Sequence, residues 1–524
     1  MKSLMSLMEV LLNDLGNRCC TSTALDLETI KSRYEHEGMS FLTISLPRFG
    51  KDFQRCLDLN MVDSSLFTGF RRSGGLPCFL GGFLRRVFAS NGQILHEPDI
   101  DSIFAIRQIC FVFNKTELEC SQERFKNAMS SYVQTESDVV ASDRGVSERE
   151  LLGLRSTFAM LFGDSIDRLN RELRDGRFDR FVPKHGPGAT ADNLVGNQKF
   201  YQSSWSSRLE SVFPAGEFLI PNWKYRADLL GVNFDSPGAE LPVRVIAVPK
   251  TLKTPRIIAI EPTKMQYAQQ SVLRAIVDSW REDSFLSSFI TLEDQSPNQR
   301  MARLGSKDGD LATIDLSEAS DRVSNQLVRY LLAPWPDFHE AVDACRSRSA
   351  DVPGHGVIRL AKFASMGSAL TFPIETMVFI SIVVHRLRMS HPTVSWPELK
   401  LKALATTRAY GDDLIVPVDL VLHIISDLEA LGFKVNTDKT FYNGSFRESC
   451  GKDYYDGVDV SVCRLRRVFP TSCEDASEVI SMVALRNQLY FAGLWATCQW
   501  IDKWVTTVLR GKYPVLSPTS PGIG

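Results

Sequence analysis

The chain has 524 residues, 44% hydrophobic and 23% charged, which excludes a disordered or low-complexity protein and leaves room for about three or four domain-sized units. Sixty basic residues against 62 acidic ones give a net charge of −2, so no overall field draws the chain to a polyanion, and any such partner must be met by local charge. Eleven cysteines without a CxxC pair, and without metal-ligand spacing to the eight histidines, argue against a zinc site and a disulfide framework.

In chain order, Met1 to Leu12 has the apolar spacing of an amphipathic helix. Glu9 interrupts it and no small-residue cleavage site follows, so it does not read as a secretion signal. About the first 180 residues mix helical patterns with glycine breaks at Gly74-Gly75 and Gly81-Gly82, and carry no chemical motif. Lys184 to Thr190 is a turn cluster. Val243 to Val248 and Arg256 to Ile260 are β-branched runs on either side of a polar turn and predict a hairpin. A helix is expected from about Lys264 to Trp280. Leu311 to Ile314 reads as a short buried strand, and Ala319 to Leu332 as one amphipathic helix stopped by Pro334. A long helix is expected over Thr371 to Leu387. Its most apolar part, Met377 to Val384, falls short of the roughly 18 to 20 residues that span a bilayer, so no membrane association is expected. Apolar segments Ala403 to Ala409 and Leu414 to Val418 flank Tyr410-Gly-Asp-Asp413, and a helix from Leu420 to Leu431 ends at Gly432. Ser517 to Gly524, rich in Pro, Ser and Gly, reads as a frayed tail. Strands and helices alternate in the central third, which favours a sheet backed by helices.

The chemistry gathers there. Gly411-Asp412 suits a tight hairpin turn, and two adjacent carboxylates at such a tip repel unless a cation sits beside them. Magnesium prefers hard oxygen ligands and keeps several waters, so a few carboxylates and substrate phosphates suffice. A pair of ions about 3.5–4 Å apart needs carboxylates from more than one element. Asp315, ending the Leu311 to Ile314 strand, supplies the third. Asp321, close behind it, is a candidate for sensing a sugar 2′-hydroxyl. Lys250, Lys253 and Arg256 cluster where two strands meet and could touch one triphosphate; cations of this kind carry much of phosphoryl-transfer catalysis. Ser365-Met-Gly367 precedes the Thr371 helix, where glycine permits close backbone approach and the serine can hydrogen-bond a sugar or template. The other basic clusters, Arg71-Arg72, Arg85-Arg86 and Arg464 with Arg466-Arg467, read as solvated faces.

Several segments in order carry a resemblance: Val248-Pro-Lys-Thr-Leu-Lys-Thr-Pro-Arg256; Thr313-Ile-Asp-Leu-Ser-Glu-Ala-Ser-Asp321; Ser365-Met-Gly367 with Thr371-Phe372; Tyr410-Gly-Asp-Asp413; Gly432-Phe-Lys-Val-Asn436 with Lys439-Thr-Phe441; and Phe446-Arg-Glu-Ser-Cys-Gly-Lys452 with Gly457-Val-Asp459. Over about Leu241 to Asp459 the chain resembles the replicase catalytic (beta) subunit of small positive-strand RNA bacteriophages, and more broadly right-hand RNA-dependent RNA polymerases. The Phe446 to Lys452 segment points to the phage group. The resemblance implies an α+β right-hand polymerase, with a palm of antiparallel sheet backed by helices, fingers and a thumb. The boundaries expected are an N-terminal region contributing to fingers and outer palm (1–183), fingers with the basic hairpin (184–305), palm (306–460, with the 364–372 loop at the junction) and thumb with tail (461–524).

It further implies that Asp315, Asp412 and Asp413 hold two magnesium ions, with manganese as a substitute. Lys250, Lys253 and Arg256 would meet the incoming triphosphate, and Ser365 and Gly367 would position template and nucleotide. Lys439, rather than Lys434, would protonate the leaving pyrophosphate. Many right-hand RNA polymerases carry a ribose-contacting asparagine after the Ser-x-Gly loop; here Glu375 takes that place. The resemblance implies copying of a phage RNA genome from nucleoside triphosphates in the host cytoplasm, with initiation at the template 3′ end without a primer. Its implied partners are template and product RNA, host elongation factors Tu and Ts, and a ribosomal small-subunit protein. Contacts to such host proteins are expected in the first 180 residues and at Arg464 to Val468. A reverse transcriptase, a non-catalytic RNA-binding protein with an inactive palm and a two-metal nuclease are the alternatives. The glycine before the aspartates, the serine-glycine loop, the complete set of aspartates and the basic hairpin weigh against them in turn.

Overall fold

The computed structural model describes residues 2–236, 238–517, 520, 522 and 524. The chain begins with helices: α1 (Lys2–Arg18), α2 (Leu46–Leu59), α3 (Ile100–Phe111) and the long pair α4 (Gln122–Gly145) and α5 (Glu148–Arg174). Ser147 and Glu150 start α5 with a reciprocal capping box, which explains why α4 and α5 are separate helices. The expected hairpin forms as β1 (Val243–Val248) and β2 (Arg256–Ile260), paired Val248 to Arg256, and α6 (Thr263–Glu282) follows. Next come α7 (Ser296–Asp308), β3 (Leu311–Ile314), α8 (Ala319–Arg322), α9 (Asn325–Leu332), β4 (Ser349–Val352) and β5 (Gly356–Arg359). Beyond lie α10 (Thr371–Ser390), α11 (Trp396–Thr406), β6 (Arg408–Tyr410), β7 (Asp413–Pro417) and α12 (Val421–Ala430). The hairpin β8 (Phe446–Ser449) with β9 (Lys452–Tyr455), then α13 (Ala476–Phe491) and α14 (Trp495–Val508), complete the chain.

Two sequence expectations change. The helix over Ala319 to Leu332 is two helices, because the Ser324 hydroxyl accepts from the Gln326 and Leu327 amides and starts α9 afresh. Val323 between them is extended and receives the Phe363 amide (2.7 Å). Of Ala403 to Ala409, most belongs to α11, which Ser395 and Glu398 start with a capping box, and only Arg408–Tyr410 is strand. The basic hairpin is half of a four-stranded sheet in the order β5-β4-β1-β2, with β4 parallel to β1. The tail expectation for Ser517 to Gly524 falls on Pro518, Thr519, Pro521 and Ile523, which lie outside the described residues.

Burial divides the molecule into apolar clusters. The largest packs α5, α6, α9, α10 and α12 against the three-stranded antiparallel sheet β6-β7-β3, with Phe162, Trp280, Phe379, Leu414 and Val416 inside it. A second joins the two ends of the chain: Leu11 of α1, Phe49 of α2 and Ile106 of α3 share a core with Phe446, Met482 and Ile501. The first hundred or so residues, mute in the sequence, are thus scaffold for the C-terminal helices. A third, smaller cluster seats α4, through Met129 and Tyr132, on the sheet carrying the basic hairpin. Among the described residues no helix is long and apolar enough to cross a membrane.

Buried arginines tie these parts together. Arg107 of α3 pairs with Asp453 of β9 at 2.7 Å, both almost wholly buried. Arg447 donates to the carbonyls of Leu311 (2.6 Å), Gly444 (2.6 Å) and Phe446 (2.7 Å), fastening β8 to the start of β3; burial pushes its guanidinium down to about 10. Arg447→Leu leaves three buried carbonyls without donors. At roughly 1–3 kcal/mol for each orphaned group, partly relieved by relaxation, a loss of about 3 kcal/mol is expected. Thermal unfolding of the purified variant beside wild type checks it, and an unchanged Tm contradicts the tie.

Candidate active site

The centre of the sheet places the aspartates. β7 pairs with β3 as Leu414 to Ile314 and Ile415 to Thr313, so one step along the register sets Asp413 across from Asp315. Directly opposed residues on antiparallel strands have Cα atoms about 4.5–5.5 Å apart. Tyr410 pairs with Asp413, leaving Gly411-Asp412 as a two-residue turn, with Gly411 at φ 59°. A Cβ on Gly411 would lie 2.5 Å from the Phe372 ring and 3.0 Å from Glu375 Oε1, so the turn is pressed onto α10. The Gly411 amide donates to Thr376 Oγ1 (3.1 Å), and the Tyr410 hydroxyl donates to the Leu292 carbonyl (3.2 Å). The tip is held on both sides.

Each aspartate has its own supports. Asn436 Nδ2 donates to Asp315 Oδ2 (2.7 Å), Lys439 Nζ lies 3.3 Å from Asp315 Oδ1, and the Asn436 amide donates to the Asp315 carbonyl (2.9 Å). The Cys450 amide donates to Asp413 Oδ2 (3.2 Å), and Asn298 Nδ2 donates to the Asp413 carbonyl (3.1 Å). Burial, then the negative charge of Asp315, raises the Asp412 carboxyl; burial, then Asp412, Asp315 and Glu448, pushes Asp413 up to about 7. Both shifts mark carboxylates crowded together without enough positive charge.

The cations arrive from two directions. Lys439 sits between Asp315 and Glu448 (3.5 Å), and Glu448 foremost, then Asp315, raises its ammonium above the usual lysine range. Glu448 is buried at the root of β8. Burial opposes its charge, but Lys439, Arg107 and Arg464 together outweigh that and hold it below the usual glutamate range. From the other side comes Lys250, whose ammonium is lowered by burial, then by Arg256 and Lys439, while Asp315 and Asp412 pull the opposite way. Lys250 and Lys439 therefore share one electrostatic neighbourhood with the aspartates, and Arg256 acts on Lys250. Lys253 stands exposed in the turn, and among the described residues nothing brings it to them. Lys434 is exposed on a short strand paired to Ser317; Lys439 alone of the two touches Asp315.

Asp321 and Ser365 meet: the Ser365 hydroxyl donates to Asp321 Oδ1 at 2.8 Å. Gly367 has φ 135°, and a Cβ there would fall 2.0 Å from the Ala259 carbonyl oxygen, so this glycine lets the loop lie against β2, where the Ala259 amide donates to the Met366 carbonyl (2.9 Å). Glu375 is buried and its carboxyl is raised well above the usual range by burial, then by Asp412 and Asp321; its Oε2 has no partner. It therefore stands within the fields of both Asp412 and Asp321. Sequence reasoning gave no role to Asn436, Glu448 or Lys362. For Lys362 a signal existed: a lone lysine within Leu360-Ala-Lys-Phe-Ala364, an apolar run that can bury a charge only beside its counter-charge.

The donor set fits magnesium. Its side chains offer hard carboxylate oxygens, and burial, then the neighbouring negative charge, holds two of them protonation-prone, an imbalance that a cation would relieve. Among the described residues no group of three or more His, Cys, Asp or Glu side chains is placed to hold a metal ion.

The family model "RNA replicase, beta-chain" matches residues 240–503, half of the chain. The RNA-directed RNA polymerase subunit beta of Enterobacteria phage SP is 36% identical over 282 residues, covering 52% of this chain and 43% of that protein. The RNA-directed RNA polymerase beta chain of Enterobacteria phage fr is 39% identical over 216 residues (41% and 36%), and the subunit beta of Escherichia virus Qbeta is 35% identical over 257 (48% and 38%). The matched stretch thus spans less than half the length of these relatives. In fold, the chain is similar to one from in situ structures of the segmented genome and RNA polymerase complex inside a dsRNA virus, with a TM-score of 0.51 at 11% identity, over 92% of this chain and 47% of that one.

Proposed function

The chain belongs to the RNA replicase beta-chain family, and from that premise we propose that it is an RNA-directed RNA polymerase, joining nucleoside triphosphates on a single-stranded RNA phage template. The observation that carries this reading is the register of β3 and β7, which sets Asp315 against Asp413 beside the Asp412 turn. In right-hand terms, 306–460 is palm, 184–305 fingers with the 364–372 loop at the junction, and 461–524 thumb, with 1–183 supporting fingers and outer palm. The sheet β5-β4-β1-β2 joins strands from both the finger and the palm stretches.

Asp315, Asp412 and Asp413 would hold the magnesium ions, which when bound lower the pKa of the attacking 3′-hydroxyl and offset charge on the leaving pyrophosphate. Asn436 and Lys439 fix the rotation of Asp315. Lys250 and Arg256 bind the triphosphate, Arg256 by a bidentate fork and Lys250 as a point charge. Lys439, kept protonated by Glu448 and Asp315, delivers a proton to the departing pyrophosphate. Asp321, Ser365 and Glu375 face the ribose. Initiation without a primer at the template 3′ end, work in the host cytoplasm, and a complex with elongation factors Tu and Ts and a ribosomal small-subunit protein belong to the same proposal, supported by kinship with the phage subunits.

The reading is tested on Lys439. Lys439→Leu should slow single-turnover nucleotide addition by about 10²- to 10⁴-fold, the range of a lost general acid, while Lys434→Leu changes it by less than about threefold. Equal losses in both variants would contradict the assignment.

A further inference from the structure

Lys362 is wholly buried, yet no part of the chemistry above uses it. Its ammonium lies 2.9 Å from Asp321 Oδ1, 3.0 Å from Glu136 Oε1 and 3.5 Å from the centre of the Tyr132 ring. Glu136 is itself fixed, because its Oε2 accepts from the Ala361 (2.6 Å) and Lys362 (3.2 Å) amides. Tyr132 closes the ring of contacts. Its hydroxyl is 2.9 Å from Ser365 Oγ, and since the serine proton goes to Asp321, the tyrosine is the donor in that bond. Tyr132 and Glu136 lie on α4, outside the part of the chain that the family model matches.

The consequence falls on one carboxylate. Asp321 Oδ1 takes both the lysine and the serine, whereas among the described residues no hydrogen bond reaches Oδ2. The side chain keeps 20% of its surface open. Asp321 and Asp412 both act on the buried Glu375 carboxyl, so the two aspartates flank the same side chain. A carboxylate with one oxygen filled and its rotation locked presents the other as a fixed acceptor. The donor it matches is a ribose 2′-hydroxyl, which a deoxyribose lacks. Without the lock the carboxylate could turn, and the acceptor would lose its fixed place.

We infer that Lys362, held by Glu136 and Tyr132, is a positioning residue for sugar selection: it orients Asp321 so that Oδ2 reads the 2′-hydroxyl of the incoming nucleotide. This rests on the polymerase reading and adds the device that sets its preference for ribonucleotides. A lock of this kind acts on discrimination more than on rate, because a site built to bond a hydroxyl rejects the analogue without it.

The test measures kcat/KM for ATP and dATP on one RNA template with the purified full chain. Lys362→Met should lower the ATP:dATP ratio about tenfold or more, with ATP incorporation falling and dATP incorporation nearly unchanged, and Lys362→Arg should restore part of it. A purely structural role would depress both nucleotides together, and a soluble Lys362→Met chain with the wild-type ratio overturns the inference. Should Lys362→Met leave Asp321 and Glu136 too unbalanced to fold, Tyr132→Phe decides: it keeps the ring over the ammonium and removes only the donor to Ser365. A ratio lowered about threefold or more supports the lock, and an unchanged ratio overturns it. If the wild-type chain incorporates no ribonucleotide even with bacterial extract, the underlying polymerase reading fails instead, and that outcome is distinct.

Discussion

Replacing Asp412 with asparagine is expected to abolish RNA synthesis while RNA binding stays within a few-fold of wild type. The side chains are nearly the same size, so the turn at Gly411 and its bond to Thr376 survive. What is lost is the negative charge. A cation that stabilises developing charge in phosphoryl transfer contributes several kcal/mol, and each 1.36 kcal/mol is tenfold in rate, so a fall of about 10³-fold or more follows. Stability should move the other way. Burial and Asp315 both raise the Asp412 carboxyl, which means that its charge is unfavourable in the metal-free fold, and neutralising it relieves that strain. A variant with no synthesis, intact RNA binding and an unchanged or higher Tm is the expected signature. Loss of synthesis together with a lowered Tm would point to misfolding and away from catalysis.

The second large effect is expected at Gly367. Alanine there puts a methyl group 2.0 Å from the Ala259 carbonyl oxygen, a contact with backbone that cannot rotate away, at a φ of 135° that side chains rarely adopt. Backbone strain of about 1–3 kcal/mol and overpacking of about 1–3 kcal/mol act together. The loop can escape only by breaking the bond between Ala259 and Met366, which moves Ser365 off Asp321. Gly367→Ala should therefore lower Tm by several degrees and reduce synthesis more than tenfold. By contrast Gly354, with open space around its α-carbon, carries only the φ penalty, and Gly354→Ala should leave synthesis near wild type. Equal activity losses at the two positions would contradict the close-approach argument.

Much of the central site was legible because its signals are local. A short apolar run ending in Asp315, a Gly-Asp turn between apolar runs and a basic hairpin each follow from neighbouring residues, whereas the register of β3 and β7, buried almost throughout, has no alternation in the sequence to set it. The helix break at Ser324 was missed because the apolar period runs straight through it; a serine hydroxyl aimed at two amides outweighs periodicity only once Phe363 and Ala361 anchor the extended residues beside it. β4 and β5 went unread although Val352-Pro-Gly-His-Gly356 is a turn signal, since four-residue strands paired to a distant hairpin leave little pattern. The partnership of the first hundred residues with α13 and α14 could not be seen at all, because apolar surfaces joined across the whole chain have no spacing to betray them. Lys439 over Lys434 was a choice between two lysines five residues apart, and only the path of the chain past Asn436 separates them.

One reaction tests the whole account. The purified chain, given an RNA template, the four ribonucleoside triphosphates and magnesium, should make RNA complementary to that template, beginning at its 3′ end, alone or once bacterial extract is added. If three carboxylates from two strands do gather the ions that join nucleotides, sequencing the product will read the template back in complement, and chelating the metal will stop it. DNA in place of RNA, untemplated tails, or no polymer even with extract would contradict it.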